Sequence, residues 1–396
     1  MSEERLRILH VAPYYGPAWA YGGSVYVVTE LARRQAAHGH TVMVATTDAL
    51  DARRRMPSGR HLIDGVTVYR FPNLSNALAW RRIFLPLGLG RGVASLLPAA
   101  DVVHFHEVRS LLNALVLPAL LRMGVPYVVT AHGSLPAELG RVAAKRLYDV
   151  LIGHRLLSHA CRLHALTEME RDQYAALGLP LERITLIPNG IDPMAFDFEV
   201  DVAAFRQHYG IPENAPLIGF VGRLNRIKGL DFLIEAFAEV RRHRPDAMLL
   251  LAGPDDGAQS TLEAQAMRLG LAAAVRFTGM VEGEKAKAAA YRASTVYVLP
   301  SRYETFPTTV LEALLNAVPC ILTERCGLAA PLAEANAVQV APFGDVAVLA
   351  ATILRFLDSP AEAHAQAKRG RRYVIKHFDW QTVTDRWIQT YRECMR

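Results

Sequence analysis

The chain is poor in the features that would tie it to a membrane, a metal or the secretory route. Its longest apolar stretch, Leu111 to Leu121, is too short to cross a bilayer as a helix, which takes about 20 residues. The opening residues, Met-Ser-Glu-Glu-Arg-Leu-Arg, lead straight into a strand-like run without a leader-like apolar block. A soluble, cytoplasmic protein is expected. Four cysteines occur, Cys161, Cys320, Cys326 and Cys394, and none forms a C-x-x-C pair or zinc-ligand spacing. In a reducing compartment they are expected as free thiols. There is no short repeat and no low-complexity segment. No G-x-G-x-x-G follows the first strand, which argues against a nicotinamide dinucleotide in this half. No Asp-x-Asp follows a predicted strand either, so neither a metal nor another cofactor is expected.

What is present fits a large globular protein. Of 396 residues, 51% are hydrophobic and 21% charged, enough for sizeable cores. At roughly 100–200 residues per domain the length suggests two domains. The net charge of +6 is unevenly spread. Residues 1–192 hold 21 basic and 15 acidic side chains, and residues 193–396 hold 23 of each. Such asymmetry bears on partners rather than on fold. No aromatic-interleaved basic motif supports nucleic acid. An anionic membrane surface or a phosphorylated acceptor fits the basic half.

Strand and helix signals alternate along both halves. Strands are predicted at Arg7–Ala12, Thr41–Thr47, Val66–Phe71, Asp101–Phe105, Tyr127–Ala131, Arg162–Leu166 and Ile184–Ile187. After a relaxed stretch from Ile191 to Val202, read as a linker, a second series begins at Leu217–Gly222. It continues with Met248–Ala252, Val275–Thr278, Thr295–Leu299 and Cys320–Thr323. This βαβ alternation implies two parallel-sheet domains. Ser24 is the predicted N-cap of a helix reaching about His38 and ended by Gly39. The helix Leu230–Arg242 puts Phe232, Leu233, Ala236, Phe237 and Val240 on one stripe, the core-facing pattern. Ligands of such sheets bind beyond the carboxyl ends of strands, and each candidate site residue follows a predicted strand.

Gly22 and Gly23 lie in the loop after the first strand, where glycine lets the backbone approach a phosphate or sugar. Arg223 and Lys228 flank a predicted helix start in Val-Gly-Arg-Leu-Asn-Arg-Ile-Lys-Gly. A helix N-terminus already carries positive dipole charge, so cations there call for an anion. A diphosphate held by amides and both side chains would supply it. Glu304 and Glu312 lie in Tyr-Glu-Thr-Phe-Pro-Thr-Thr-Val-Leu-Glu-Ala. Thr309-x-x-Glu312 has capping-box spacing, so Glu312 either satisfies a helix start or binds a ligand. Glu304 is either a solvated loop carboxylate or a site group. His132 ends a β-branched strand and precedes a glycine, as a structural hydrogen-bonder or a cleft residue. His104 and His106 alternate on the preceding strand. With His132 they could suggest a metal, but no carboxylate stands at ligand spacing.

Taken in order, these segments resemble the family-4 retaining glycosyltransferases of the GT-B fold, two Rossmann-like doubly wound domains facing a cleft. The segments that carry the resemblance are Tyr-Gly-Gly (21–23), Asp-Val-Val-His-Phe-His (101–106), Ala-His-Gly (131–133) and Ile-Pro-Asn-Gly-Ile-Asp (187–192). Val-Gly-Arg-Leu (221–224), Lys-Gly (228–229), Phe-Thr-Gly (277–279) and Glu-Thr-Phe-Pro-Thr-Thr-Val-Leu-Glu-Ala (304–313) complete the set. The resemblance implies an acceptor domain over 1–195 and a donor domain over 196–377, with a terminal helix of about 378–396 crossing back onto the first. It gives Arg223, Lys228, Gly22, Gly23 and the amides of Thr308 and Thr309 to the donor diphosphate, and Glu312 to the ribose. Met280 or Val281 would meet the base. Glu304 and His132 would lie at the transferred hexose, with the backbone of Phe306 and Pro307 beside it. Many relatives have glycine at Pro307 and Cys-Gly where this chain has Asn316-Ala317.

The implied partners are a nucleoside-diphosphate sugar and a glycan or lipid-linked acceptor, as in surface polysaccharide synthesis, and no nucleic acid. Competing readings are a nucleotide-sugar 2-epimerase and a non-catalytic sugar-nucleotide-binding protein. The basic half also holds Trp80-Arg81-Arg82-Ile83-Phe84-Leu85-Pro86-Leu87. Further on, Arg141, Lys145, Arg146 and Arg155 punctuate an apolar helical stretch. Such surfaces can dock on anionic bilayers. The alternative is that the apolar residues pack in the core.

Overall fold

The computed structural model describes residues 4–136 and 142–396. They form two compact units, residues 1–190 with 380–396, and residues 191–379. In the first unit the strands are β1 (Arg7–Val11), β2 (Thr41–Thr47), β3 (Gly59–Ile63), β4 (Val66–Phe71), β5 (Val102–His106), β6 (Tyr127–Thr130), β7 (Arg162–Ala165) and β8 (Ile184–Leu186). Their order is β3-β4-β2-β1-β5-β6-β7-β8. All neighbours pair in parallel except β3 with β4. The second unit holds β9 (Leu217–Val221), β10 (Met248–Ala252), β11 (Val275–Gly279), β12 (Val296–Leu299), β13 (Cys320–Thr323) and β14 (Gln339–Ala341). Their order, β11-β10-β9-β12-β13-β14, is parallel throughout. It is the doubly wound order 3-2-1-4-5-6, whose direction reverses between β9 and β12.

The central strands are buried along their length. β5 reads Val-Val-His-Phe-His and β10 Met-Leu-Leu-Leu-Ala, and every residue of both is buried. Helices on each face of a parallel sheet require such continuous apolar runs. The helix Leu230–His243 buries Phe232, Leu233, Ala236, Phe237 and Val240, the stripe expected from the sequence.

Two expectations are corrected, and one of two alternatives is excluded. The helix after β1 is Gly23–Ala37, its N-cap is Gly22, and no side chain caps it. The Ser24 hydroxyl is instead bonded to the Tyr14 hydroxyl at 2.8 Å. Gly22 has φ 102 and ψ −164, a conformation open essentially only to glycine. The helix Thr308–Leu315 has Pro307 at its N-cap and no side-chain cap bond, so Glu312 closes no capping box. Finally, Cys161 and Cys394 form a disulfide with Cα atoms 5.6 Å apart, while Cys320 and Cys326 are buried free thiols. Sequence spacing hides this pair, because 233 residues separate its members. The terminal helix Trp380–Cys394 brings them together by packing Trp380, Val383, Trp387, Ile388 and Tyr391 into the first unit's core beside Ile8, Val102 and Val128.

Candidate functional site

In the second unit the candidate residues gather after β9 and β12, the two strands at the reversal. Asn225 caps a single turn, Arg226–Lys228, by accepting from the Lys228 amide at 3.3 Å. Gly229 then turns at φ 65, and a Cβ there would strike the Pro300 carbonyl oxygen. This close approach sets Lys228 beside the β12 loop, where its ammonium is paired with the Glu304 carboxylate. Both side chains are largely covered, at 18% and 20% exposure. Arg223 pairs with Asp256 at 2.8 Å, with both side chains about half exposed. The counter-charge that the sequence reading assigned to a diphosphate is thus supplied by two carboxylates, and the dipole argument for a ligand loses its force. Asp256 lies far away in sequence and carries no motif, so only the structure reveals it.

Glu312 lies one turn into its helix and accepts from Lys287 Nζ at 2.5 Å and from the Tyr291 hydroxyl at 2.6 Å. The Tyr297 hydroxyl donates to Thr309 Oγ1 at 2.8 Å. The Thr308 amide, expected to face a phosphate, donates to the Phe306 carbonyl at 3.0 Å. Phe306 and Pro307 are buried. Met280 is exposed and Val281 half-buried, just beyond the left-handed Gly279 that ends β11. Lys228 and Glu304 are in direct contact, and Glu312 has separate partners on the helix Gly283–Ala293.

In the first unit, His132 follows β6 with φ 50, a left-handed conformation that is uncommon outside glycine and marks functional sites when the surroundings hold it. Here Glu170 does the holding. Its carboxylate accepts from the Gly133 amide at 2.7 Å and from the Leu166 amide at 2.8 Å. Burial pushes the Glu170 carboxyl up to about 7. Behind His132 lie four more histidines. His10 on β1 is opposite His104 in the β1–β5 register, and His164 on β7 is opposite Thr130 of β6. His10 Nδ1 is 2.9 Å from His106 Nε2, and His106 Nδ1 is 3.0 Å from His132 Nε2. Burial holds these rings neutral, taking His10 and His132 down to about 4 and His164 to about 3. His104 and His106 go well below the usual value.

His10, His104 and His106 are close enough to hold a metal ion. All six of their ring nitrogens already have hydrogen-bond partners, however, so a metal would have to displace those bonds. His10 and His164 were missed in the sequence. Aligning the predicted parallel strands side by side would have put His10 next to His104. A second buried carboxyl lies nearby: Glu107, at φ 69 after β5, is bonded by the Tyr14 hydroxyl and pushed up to about 7 by burial.

Comparison with known proteins adds the following. Residues 201–373 match the family model described as glycosyl transferases group 1, and residues 22–190 match that of a glycosyl transferase 4-like domain. The glycogen synthase of Mycobacterium tuberculosis (strain CDC 1551 / Oshkosh) is 31% identical over 415 residues, covering 99% of this chain and 95% of that protein. The 2-deoxystreptamine glucosyltransferase of Streptomyces kanamyceticus is 31% identical over 288 residues, 70% of this chain and 74% of that one. Among solved structures, Anabaena HepE in complex with UDP-glucose has a TM-score of 0.76 at 20% identity, over 98% of this chain and 99% of that chain.

Proposed function

The chain belongs to the group 1 glycosyltransferases and has the GT-B type of fold, two parallel-sheet α/β domains, and from that premise we propose that it moves a hexose from a nucleoside diphosphate to a glycan or lipid-linked acceptor with retention of configuration. The observation that carries this reading is the placement of Arg223, Lys228, Glu304 and Glu312 after β9 and β12. Those strands flank the reversal of a doubly wound sheet, where such folds bind ligands. Arg223, Lys228 and the amides of Thr308 and Thr309 hold the diphosphate, the Thr308 amide leaving Phe306 to do so. Glu312 holds the ribose, and the backbone at Met280 and Val281 meets the base. Glu304 and His132 position the hexose beside the backbone of Phe306 and Pro307.

As the anomeric carbon–oxygen bond breaks, its electron pair goes to the diphosphate, whose growing charge the two cations stabilise. The acceptor hydroxyl oxygen bonds to the anomeric carbon from the same face, and its proton passes to the departing diphosphate oxygen. These groups do the work without metal. Names among the relatives, a glycogen synthase and a glucosyltransferase, favour a glucosyl donor. The test is incubation with UDP- and GDP-hexoses and acceptor alcohols in excess chelator, read by NMR. Transfer or slow hydrolysis that keeps the donor's anomeric configuration is expected. An inverted product, loss of activity on chelation, or 2-epimer formation would each overturn the corresponding part.

We further propose that the first unit docks on anionic membrane to reach a lipid-linked acceptor. In the helical run Val142–Tyr148, Asp149–Gly153, His154–Ser158, the apolar side chains of Leu147, Val150 and Leu151 are 61%, 79% and 64% exposed. Arg146 and Arg155 are exposed beside them, Leu156 and Leu157 are buried, and Arg141 lies outside the described residues. In the 80–87 segment, Trp80, Arg81 and Leu87 are exposed. Arg82 is exposed as well, and its guanidinium bonds the Tyr21 carbonyl and lies over the Tyr14 and Tyr21 rings.

A further inference from the structure

We propose that a chain of hydrogen bonds running through the first unit from the Ile187 carbonyl to His132 fixes His132 in one tautomer, with its proton on Nε2 and a bare lone pair on Nδ1. This rests on the placement of His132 at the sugar for its functional consequence, and on hydrogen-bond geometry among neutral rings for the tautomer.

The polarity of the chain is set at its far end. His164 Nε2 lies 2.7 Å from the Ile187 carbonyl oxygen. A carbonyl only accepts, so His164 carries its proton on Nε2 and leaves Nδ1 as an acceptor. Thr130 Oγ1 lies 3.0 Å from that Nδ1 and must donate to it. Having given its one proton, the hydroxyl accepts from His104 Nε2 at 2.7 Å. His104 Nδ1 is then an acceptor, and the Tyr391 hydroxyl donates to it at 2.7 Å. Tyr391 in turn accepts from Gln35 Nε2 at 3.3 Å, which fixes the orientation of the Gln35 amide.

With its nitrogen committed to Tyr391, Gln35 presents Oε1 to His10 Nε2 at 2.8 Å. His10 therefore carries its proton on Nε2, and its Nδ1 accepts from His106 Nε2. His106 Nδ1 accepts from His132 Nε2 by the same rule. Each step assumes a neutral ring, and burial supplies that condition along the whole run. Among the described residues, nine of the ten ring nitrogens in these five histidines have hydrogen-bond partners, and the remaining one is His132 Nδ1. A single reversal anywhere would leave two donors or two lone pairs facing each other, so the chain has one consistent state.

The consequence is a specificity rule. His132 Nδ1 takes a hydrogen bond from a ligand hydroxyl and repels groups that only accept, such as phosphate or ether oxygens. Gln35 and Tyr391 act as positioning residues, remote from any ligand and effective through His10 and His106. Tyr391 also ties this polarity to the docked terminal helix.

The test is 15N-histidine labelling of the full chain with long-range 1H–15N spectra at pH 7, His132 being identified by loss of its signals in His132→Asn. The expected result is a single neutral Nε2–H form. Gln35→Met removes the amide that passes the polarity from Tyr391 to His10. A mixed His132 tautomer is then expected, with kcat for transfer falling by the factor by which the Nε2–H form is depleted and KM for the donor changing less. An Nδ1–H or mixed His132 in the unaltered protein overturns the proposal. So does a His132 tautomer indifferent to Gln35→Met, or a kcat indifferent to a scrambled tautomer. Absence of transfer with every donor would refute the placement at a sugar, while the spectra would still decide the relay.

Discussion

Lys228 faces Glu304 and Arg223 faces Asp256, so on the proposed reading a diphosphate must compete with carboxylates. The Arg223–Asp256 pair is about half exposed, and pairs of that kind contribute ~0.2–1 kcal/mol. Asp256→Asn is therefore expected to tighten nucleoside-diphosphate binding by no more than about fivefold, since 1.4 kcal/mol is a factor of ten. If Arg223 and Lys228 hold the diphosphate as proposed, Arg223→Ala and Lys228→Ala are expected to cost about 2–4 kcal/mol in turnover. Calorimetric titration with UDP and GDP separates the two directions, and equal affinity in all three variants would move the diphosphate elsewhere. The buried histidines give a second prediction. His10 and His164 titrate near 4 and 3 in the folded state against about 6.5 unfolded. Folded pKa values are depressed, so this stability is present above about pH 6.5 and is lost as pH falls toward 4. Each such ring adds a slope of ~1.4 kcal/mol per pH unit within that window. Glu107 and Glu170, raised to about 7, act oppositely, favouring the folded state at low pH and losing that contribution as pH rises through 7. Five histidines outweigh two carboxyls, and thermal melts should fall in midpoint from pH 6.5 to 4. A midpoint flat across that range would mean the rings are already charged or hydrated.

The terminal helix Trp380–Cys394 shows how an element can be legible while its connection is not. The resemblance implies a helix here that crosses back onto the first domain, yet nothing in the local sequence says that Cys394 meets Cys161. Only the docking of Trp380, Trp387 and Tyr391 decides it. If that bond constrains the unfolded chain, Cys394→Ser should lower stability by about 2–4 kcal/mol. Denaturant unfolding with and without reductant checks this, and identical curves for the variant and the reduced and oxidised protein would show the cross-link carries no stability. The same distinction runs through both sheets. Buried strands such as β5 and β10 announce themselves as unbroken apolar runs. β3, Gly-Arg-His-Leu-Ile, is an exposed antiparallel edge, and β14 has three residues. Neither has the burial that makes a strand readable, and both escaped prediction. Among site residues, those on motifs (Arg223, Lys228, Glu304, Glu312, His132) were visible. Their partners Asp256, Lys287, Glu170 and Gln35 were not, because a partner is chosen by the fold and carries no spacing signal. Ala317 shows the sequence departing locally from its relatives. It turns at φ 56 where the family resemblance leads one to expect glycine, a conformation that strains a side chain.

At the scale of the molecule, the chain's net charge of +6 resides in its first 192 residues, in the unit that also exposes Leu147, Val150 and Leu151. No described helix is long and apolar enough to cross a membrane. The described geometry favours it in one respect. Ion pairing of Arg109 with Asp149 at 2.7 Å anchors the π-helical turn Asp149–Gly153 to the loop after β5, so the apolar side chains project from a fixed support. Basic residues near an anionic leaflet contribute about 1 kcal/mol each, and the attraction is screened within a Debye length of ~8 Å at physiological salt. Burying three aliphatic side chains in the interface adds to this without dependence on salt. The two contributions separate experimentally. In co-sedimentation with liposomes, Arg146→Ala with Arg155→Ala should weaken binding about tenfold or more at low salt and little at high salt. Leu147→Ser with Val150→Ser and Leu151→Ser should weaken it at every salt concentration, and melts of both variants should match the parent because all five side chains are exposed. Recovery of the unaltered protein in the supernatant with anionic and neutral liposomes alike, at low salt, would leave the apolar patch unexplained by lipid and point the acceptor search toward soluble glycans.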